Sequence, residues 1–135
     1  GPLTDEEWVE MKEHAEIGAR IITNAGLDDV GHWVRAHHER PDGHGYPRGL
    51  SEGHTPIEAG IVAVADAYEA MTSDRVYRAA LTHETAQTEL ARCAGTQFDA
   101  RVVGPFLRGL ERQAAVLTPP HSTSTSSWTG SDAAT

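Results

Sequence analysis

The sequence predicts an all-α protein: a single helical domain of about five helices over residues 1–117, followed by a disordered tail. Three observations carry this. Apolar residues recur at three- and four-residue spacing in successive segments. Helix-start signals stand before those segments. No alternating apolar–polar run of the kind a half-buried strand needs competes with them.

Taken in order, Thr4-Asp5-Glu6-Glu7 has the form of a capping box. The stripe Trp8, Met11, Ala15, Gly18/Ala19 and Ile22 follows it, and Asn24-Ala25-Gly26 closes the helix with Gly26 just past its end. A second helix is expected from about Asp28 to Glu39, with Val30, Trp33, Val34 and His37 on its inner face. Between Arg40 and Thr55 stand Pro41, Gly43, Gly45, Pro47, Gly49 and Gly53, which forbid a regular element. Pro56 suits the first turn of a third helix capped by Thr55 and reaching Thr72, with Ile57, Ile61, Val64, Tyr68 and Met71 on one face. Thr82 or His83 opens a fourth helix ending near Gly95, and Asp99 caps a fifth ending near Gln113. From Thr118 the chain runs TPPHSTSTSSWTGSDAAT, which offers too little apolar surface to offset its ordering entropy.

Composition excludes several functions. A formal net charge of −9 disfavours long nucleic acids, whose binding depends on clustered Lys and Arg, but leaves room for a small anion held by a few local cations. Cys93 is the only cysteine, so neither an internal disulfide nor a cysteine metal knuckle is available. No apolar run is long enough to span a bilayer, and a cytoplasmic setting is expected. The chain begins with Gly1 rather than Met and enters a helix at once, which predicts further residues upstream.

The eight histidines are unevenly placed. His37 continues the Trp33/Val34 stripe and His38 follows it. Adjacent helical positions point about 100° apart, so the pair could hold one metal from two sides, face two metals, or stand solvated at a helix end. His14 shares a helix face with Ile17 and Ile21, where a hydrogen-bonded core histidine competes with a ligand. Asp66 lies inside IVAVADAY, a segment apolar almost all round. A carboxylate buried there needs a cation, either a metal or one of Arg20, Arg35 and Arg75. Together His14, His37, His38 and Asp66 suit a borderline divalent cation. Arg75 and Arg78, with Tyr77 between them, could clasp phosphate, or be ordinary surface arginines. Asp42-Gly43-His44-Gly45-Tyr46-Pro47 reads as a connector or, with an exposed Tyr-Pro, as a gate or docking edge.

Four ordered blocks then carry a resemblance. His37 to Leu50, HHERPDGHGYPRGL, resembles the HHE…DGxGYPxGL signature of bacterial HD-GYP domains. Ile61 to Arg78 is similar to that family's VADxFDALTxxRPYR stretch, Leu3 to Ile22 to its LTxEEWxxMxxHxxIGAxI helix, and Gln97 to Val103 to its FDPxxV ending. The resemblance implies the C-terminal part of an HD-domain bundle and a metal-dependent phosphodiesterase hydrolysing cyclic di-GMP, with two or three iron or manganese ions. It implies metal ligation by His14, His37, His38 and Asp66. It gives substrate contacts to Arg75, Arg78 and Tyr46, and access or partner docking to the loop of Asp42, Gly43, Gly45, Tyr46 and Pro47. The family's His-Asp pair and its lysine precede the LTxEEW helix. The chain is therefore expected to lack them, to hold fewer ions, and to be impaired alone or to act as a non-catalytic metal, nucleotide or protein-binding module. Self-association through the bared Trp8/Met11/Ile22 stripe is expected too. Val76 stands where the family favours proline, and Glu69 where it favours aspartate.

Overall fold

The computed structural model describes residues 2–118 and forms five α-helices among them: α1 (Asp5–Asn24), α2 (Asp28–Ala36), α3 (Ile57–Thr72), α4 (His83–Arg92) and α5 (Ala100–Leu117). No strand occurs among the described residues, only three isolated bridges. Of the expected tail, residues 119–135 lie outside the described part.

Local chemistry accounts for most helix ends. The Thr4 hydroxyl accepts from the Glu7 N–H at 3.2 Å, while the Glu7 carboxylate accepts from the Thr4 N–H at 2.8 Å. This reciprocal box satisfies two otherwise orphaned donors, worth about 1 kcal/mol. Gly26 has φ +85°, a left-handed turn past the end of α1 that a side chain would strain. The Thr82 hydroxyl caps α4 by accepting from Thr85 N–H, and the Asp99 carboxylate caps α5 by accepting from Arg101 N–H.

Two packed units result. Helices α1 and α2 form an antiparallel pair whose contact is built from small residues, Ala15, Ala19, Gly31 and Ala36, all buried. A β-carbon on Gly31 would fall 2.3 Å from the Thr23 hydroxyl, so only glycine permits that approach. Helices α3, α4 and α5 enclose a core of Val64, Leu90, Cys93, Phe98, Val102 and Val103. Leu90 and Val64 are fully buried, each worth about 1.5–3 kcal/mol. Contact between α2 and α3 joins the two units.

The structure corrects several expectations. Helix α2 stops at Ala36, with His37 as its C-cap, so His37 and His38 leave the helix instead of continuing its stripe to Glu39. Helix α4 ends at Arg92 rather than near Gly95, because Cys93–Phe98 closes into a turn in which Gly95 N–H donates to Phe98 O. Helix α5 continues through Pro105 to Leu117, four residues beyond its expected end. On α3 the single apolar face divides: Val64 is buried while Ile57 and Ile61 are exposed. The core lies against α4 and α5, which leaves Ile57 and Ile61 on the outer side of α3.

Candidate functional site

The site begins where α2 ends. His37 Nδ1 stands 2.6 Å from the Val34 carbonyl, an N–H···O bond that leaves Nε2 as its outward nitrogen. The His37 and His38 rings lie side by side with centroids 3.8 Å apart. His14, on the outer face of α1, brings its Nε2 to 3.0 Å from His38 Nε2. The three imidazoles predicted as ligands are thus neighbours, drawn from α1 and from the exit of α2. Burial, then the proximity of His37 and His14, lowers the His38 imidazole to about 4, so it is neutral at ordinary pH.

Asp66 approaches from α3. It lines, with His37, His38 and Tyr46, a cavity of about 310 Å³. Its expected burial is not observed, because α3 turns Asp66 toward that cavity and away from the α4–α5 core, leaving it exposed. Two of the three arginine partners considered for it are engaged elsewhere, Arg35 with Glu16 at 2.8 Å and Arg75 with Glu69 at 3.0 Å, and Arg20 forms no salt bridge with it. No salt bridge among the described residues includes Asp66.

The loop after His38 folds back over it. Gly45 sits against the backbone of His38, Glu39 and Arg40, and a β-carbon there would fall 2.4 Å from both the His38 carbonyl and the Arg40 nitrogen. Tyr46 N–H donates to the His38 carbonyl at 3.1 Å. The Tyr46 ring then stacks on His38, with centroids 4.7 Å apart and planes inclined by 19°, and meets Trp8 edge-on at 6.0 Å. Tyr46 is therefore half-buried, not the exposed edge its sequence context predicts. Burial, and secondarily the charge of Asp66, raises its phenol above the usual value. Asp42 organises the loop's entry by accepting from Arg40 and from His44 N–H, and the Arg40 guanidinium holds its carboxyl down at about 2.

Glu39 is the loop's other anchor, and one that the sequence reading passed over. It is 6% exposed, and its carboxylate accepts from Arg48 N–H at 2.7 Å and Leu50 N–H at 2.8 Å. A lone Glu at a helix exit carries no periodic signal. Its only mark in the sequence is its place beside the paired histidines.

Arg75 and Arg78 stand apart from this cavity and do not line it. Their backbones pair across a tight turn at 2.8 and 3.2 Å, with Val76 and Tyr77 fully exposed at its tip. Arg75 reaches back to Glu69, and Arg78 donates to the Ala70 carbonyl at 2.7 Å.

A model of the HD domain family matches residues 1–102. The chain belongs to the HD-domain family. Its curated relatives place it in the HD-GYP branch. A cyclic di-GMP phosphodiesterase of Thermotoga maritima is 43% identical over 116 residues, covering 84% of this chain and 31% of that protein. A 3'3'-cGAMP-specific phosphodiesterase of Vibrio cholerae is 35% identical over 106 residues, covering 76% of this chain and 20% of that protein. A solved cyclic GMP-AMP phosphodiesterase of Vibrio cholerae (V-cGAP3) superposes with a TM-score of 0.71 at 17% identity, over 87% of this chain and 28% of that one, which shows a shared fold. The chain thus spans a third or less of the length of these proteins.

Within this HD domain the donor chemistry fits a divalent ion in part. Two nitrogens bound at about 2.1 Å and at right angles about one ion lie about 3.0 Å apart. His14 Nε2 and His38 Nε2 have that separation. Among the described residues, however, no three His, Cys, Asp or Glu side chains converge as a complete ligand set. The structure brings His14, His37 and His38 together and lines one cavity with His37, His38 and Asp66, while Arg75 and Arg78 stand away from it. Among the described residues no helix is long and apolar enough to cross a membrane.

Proposed function

We propose that this chain is the part of a cytoplasmic, metal-dependent HD-GYP phosphodiesterase that supplies the three-histidine side of its metal centre and acts on cyclic di-GMP or a related cyclic dinucleotide. The observation that carries the proposal is the 3.0 Å approach of His14 Nε2 to His38 Nε2, beside His37, with His37, His38 and Asp66 lining one cavity. His14, His37 and His38 would hold one ion, iron or manganese, with Asp66 serving chiefly a neighbouring one. The ion supplies positive charge for phosphate oxygens and acidifies water. The residues do the rest. The Val34 carbonyl orients His37, and Tyr46 stacking orients His38. Arg75 is held only by an exposed ion pair, worth about 0–1 kcal/mol, and exchanges Glu69 readily for a substrate phosphate. Arg78 joins it from the same turn.

A second reading is a non-catalytic metal- or nucleotide-binding module, with the GYP loop as its protein-docking edge. It is favoured by the incomplete convergence of ligands among the described residues. One experiment separates the two. The chain and a version extended upstream by the native gene are loaded with Mn²⁺ and assayed on cyclic di-GMP and 3'3'-cGAMP. The enzymatic reading expects hydrolysis by the extended protein and weak or no turnover by this chain alone. Metal binding without hydrolysis by either protein would overturn it in favour of the module.

A further inference from the structure

The Trp8–Tyr46 pair has two sides. One faces the histidine cavity. The other walls a more open groove of about 380 Å³, lined by Asp5, Trp8, Val9, Lys12, His44 and Tyr46. The two hollows share Trp8, His44, Gly45 and Tyr46, so the groove is the immediate neighbour of any ligand seated by the histidines. The histidine cavity alone, at about 310 Å³, is at the small end of the range for ligand sites. A dinucleotide needs more room than that.

The lining specifies what the groove suits. Trp8 is 42% exposed although it is a large aromatic residue, and it offers a face for stacking. Asp5 and Lys12 each lack a salt-bridge partner among the described residues. With one carboxylate and one ammonium the groove is balanced in charge, which favours a neutral heterocycle over a bare phosphate. An ionised Asp offers acceptors only. Guanine presents adjacent N1–H and N2–H₂ donors on one edge, and these match a carboxylate. The corresponding edge of adenine carries an acceptor at N1, which a carboxylate repels.

We propose that this groove is a guanine subsite for a cyclic dinucleotide whose phosphate sits at the histidines. Trp8 stacks on the base, Asp5 accepts from its N1–H and N2–H₂, and Lys12 faces its O6 edge or the adjoining phosphate. The inference rests on the nucleotide-binding part of the proposed function. It is consistent with the relatives' names, since cyclic di-GMP and 3'3'-cGAMP each contain at least one guanine.

The test is calorimetric titration of the Mn²⁺-loaded chain with cyclic di-GMP, 3'3'-cGAMP and cyclic di-AMP, with tryptophan fluorescence in parallel. Base stacking on an aromatic ring contributes about 1–3 kcal/mol, so Trp8→Ala is expected to weaken cyclic di-GMP about tenfold or more. Trp8→Phe should restore most of that loss. Asp5→Asn should erase the preference for guanine over adenine while Mn²⁺ affinity at the histidines stays unchanged, a pattern that a merely structural role would not give. Undiminished cyclic di-GMP binding in both Trp8→Ala and Asp5→Asn would overturn the guanine subsite and leave the proposed function standing. A parent chain that takes up Mn²⁺ but none of the three dinucleotides would overturn the nucleotide reading and the subsite together.

Discussion

His14 Nε2 and His38 Nε2 face each other at 3.0 Å, although 24 residues separate them in the chain. Two imidazole nitrogens at that distance share either a proton or a cation. In the first case one ring donates N–H to the other's lone pair, and in the second both lone pairs point at one ion. The lowered basicity of His38 keeps that ring neutral and its lone pair available.

Removing either ring should therefore empty the site. His14→Ala and His38→Ala are each expected to lower Mn²⁺ affinity by at least the ~10–100-fold that loss of a mere outer-shell contact costs. His14 is exposed and belongs to no core cluster, so its loss should leave the melting temperature of the metal-free protein nearly unchanged. Metal analysis after dialysis, with calorimetric melting alongside, checks both halves. Full Mn²⁺ retention in His14→Ala would contradict the assignment.

The pH response follows from His38. Its folded value of about 4 lies below the ordinary 6.5, so protons prefer the unfolded or opened chain. Its contribution to stability is complete above about pH 6.5 and is lost as pH falls from there toward 4. His38 is only partly buried, so solvent screening makes this contribution modest. The His38 Cε1–H resonance of the metal-free protein should titrate with a midpoint near 4. A midpoint near 6.5 would show the ring to be solvated and the cluster open.

Much of this arrangement was legible in the sequence, for reasons that differ from element to element. The capping box at Thr4–Glu7, the glycine stop at Gly26 and the caps Thr82 and Asp99 are local chemistry, and they appear where the residues predict. What could not be read was which side of each helix would be covered. Ile57 and Ile61 share the helical spacing of Val64, yet only Val64 finds α4 and α5. Asp66 looked buried for the same reason: its neighbours in sequence are apolar, while its neighbours in space are the histidine cavity and solvent. Helix α2 ends earlier than its apolar stripe predicts because the turn at His37–Glu39 is held by bonds from beyond the helix. Tyr46 N–H on the His38 carbonyl and Glu39 on Arg48 and Leu50 leave no local signature.

Those long-range bonds predict the effect of Glu39→Ala. The substitution orphans two backbone donors, those of Arg48 and Leu50, at about 1–3 kcal/mol for each that stays dry. Denaturant unfolding should show a loss of about 2 kcal/mol or more, and the Arg48 and Leu50 amides should exchange faster with solvent. Glu39→Gln keeps one acceptor oxygen and should fall between. Unaltered exchange at both amides would mean that the loop holds itself without the carboxylate.

Gly45→Ala tests the same loop from its other side. The new methyl would collide with the backbone of His38, Glu39 and Arg40 at 2.4–2.6 Å, and backbone cannot swing aside as a side-chain tip can. The loop must lift, taking Tyr46 off His38. The expected signature is loss of the ring-current shift that Tyr46 imposes on the His38 protons, together with weaker Mn²⁺ binding. A preserved stacking shift would show that the segment yields more easily than its packing implies.

The bare faces of α1 and α3 lead to the last prediction. Ile17 and Ile21 on α1 are 52% and 65% exposed, and Ile61 on α3 is 51% exposed, while the Trp8 and Met11 end of the expected stripe is also open. Every such side chain left in water forgoes part of the roughly 25 cal/mol per Å² that burial returns, so the isolated chain gains by covering them with another copy of itself. Sedimentation velocity across a range of concentrations should show a monomer giving way to larger species. Ile21→Glu combined with Ile61→Lys should shift that balance back toward monomer without lowering the melting temperature, since neither residue belongs to the α3–α4–α5 core. A parent chain that stays monomeric at high concentration and melts cooperatively at high temperature would mean that these faces tolerate water, and the exposed stripe would then have no associative role.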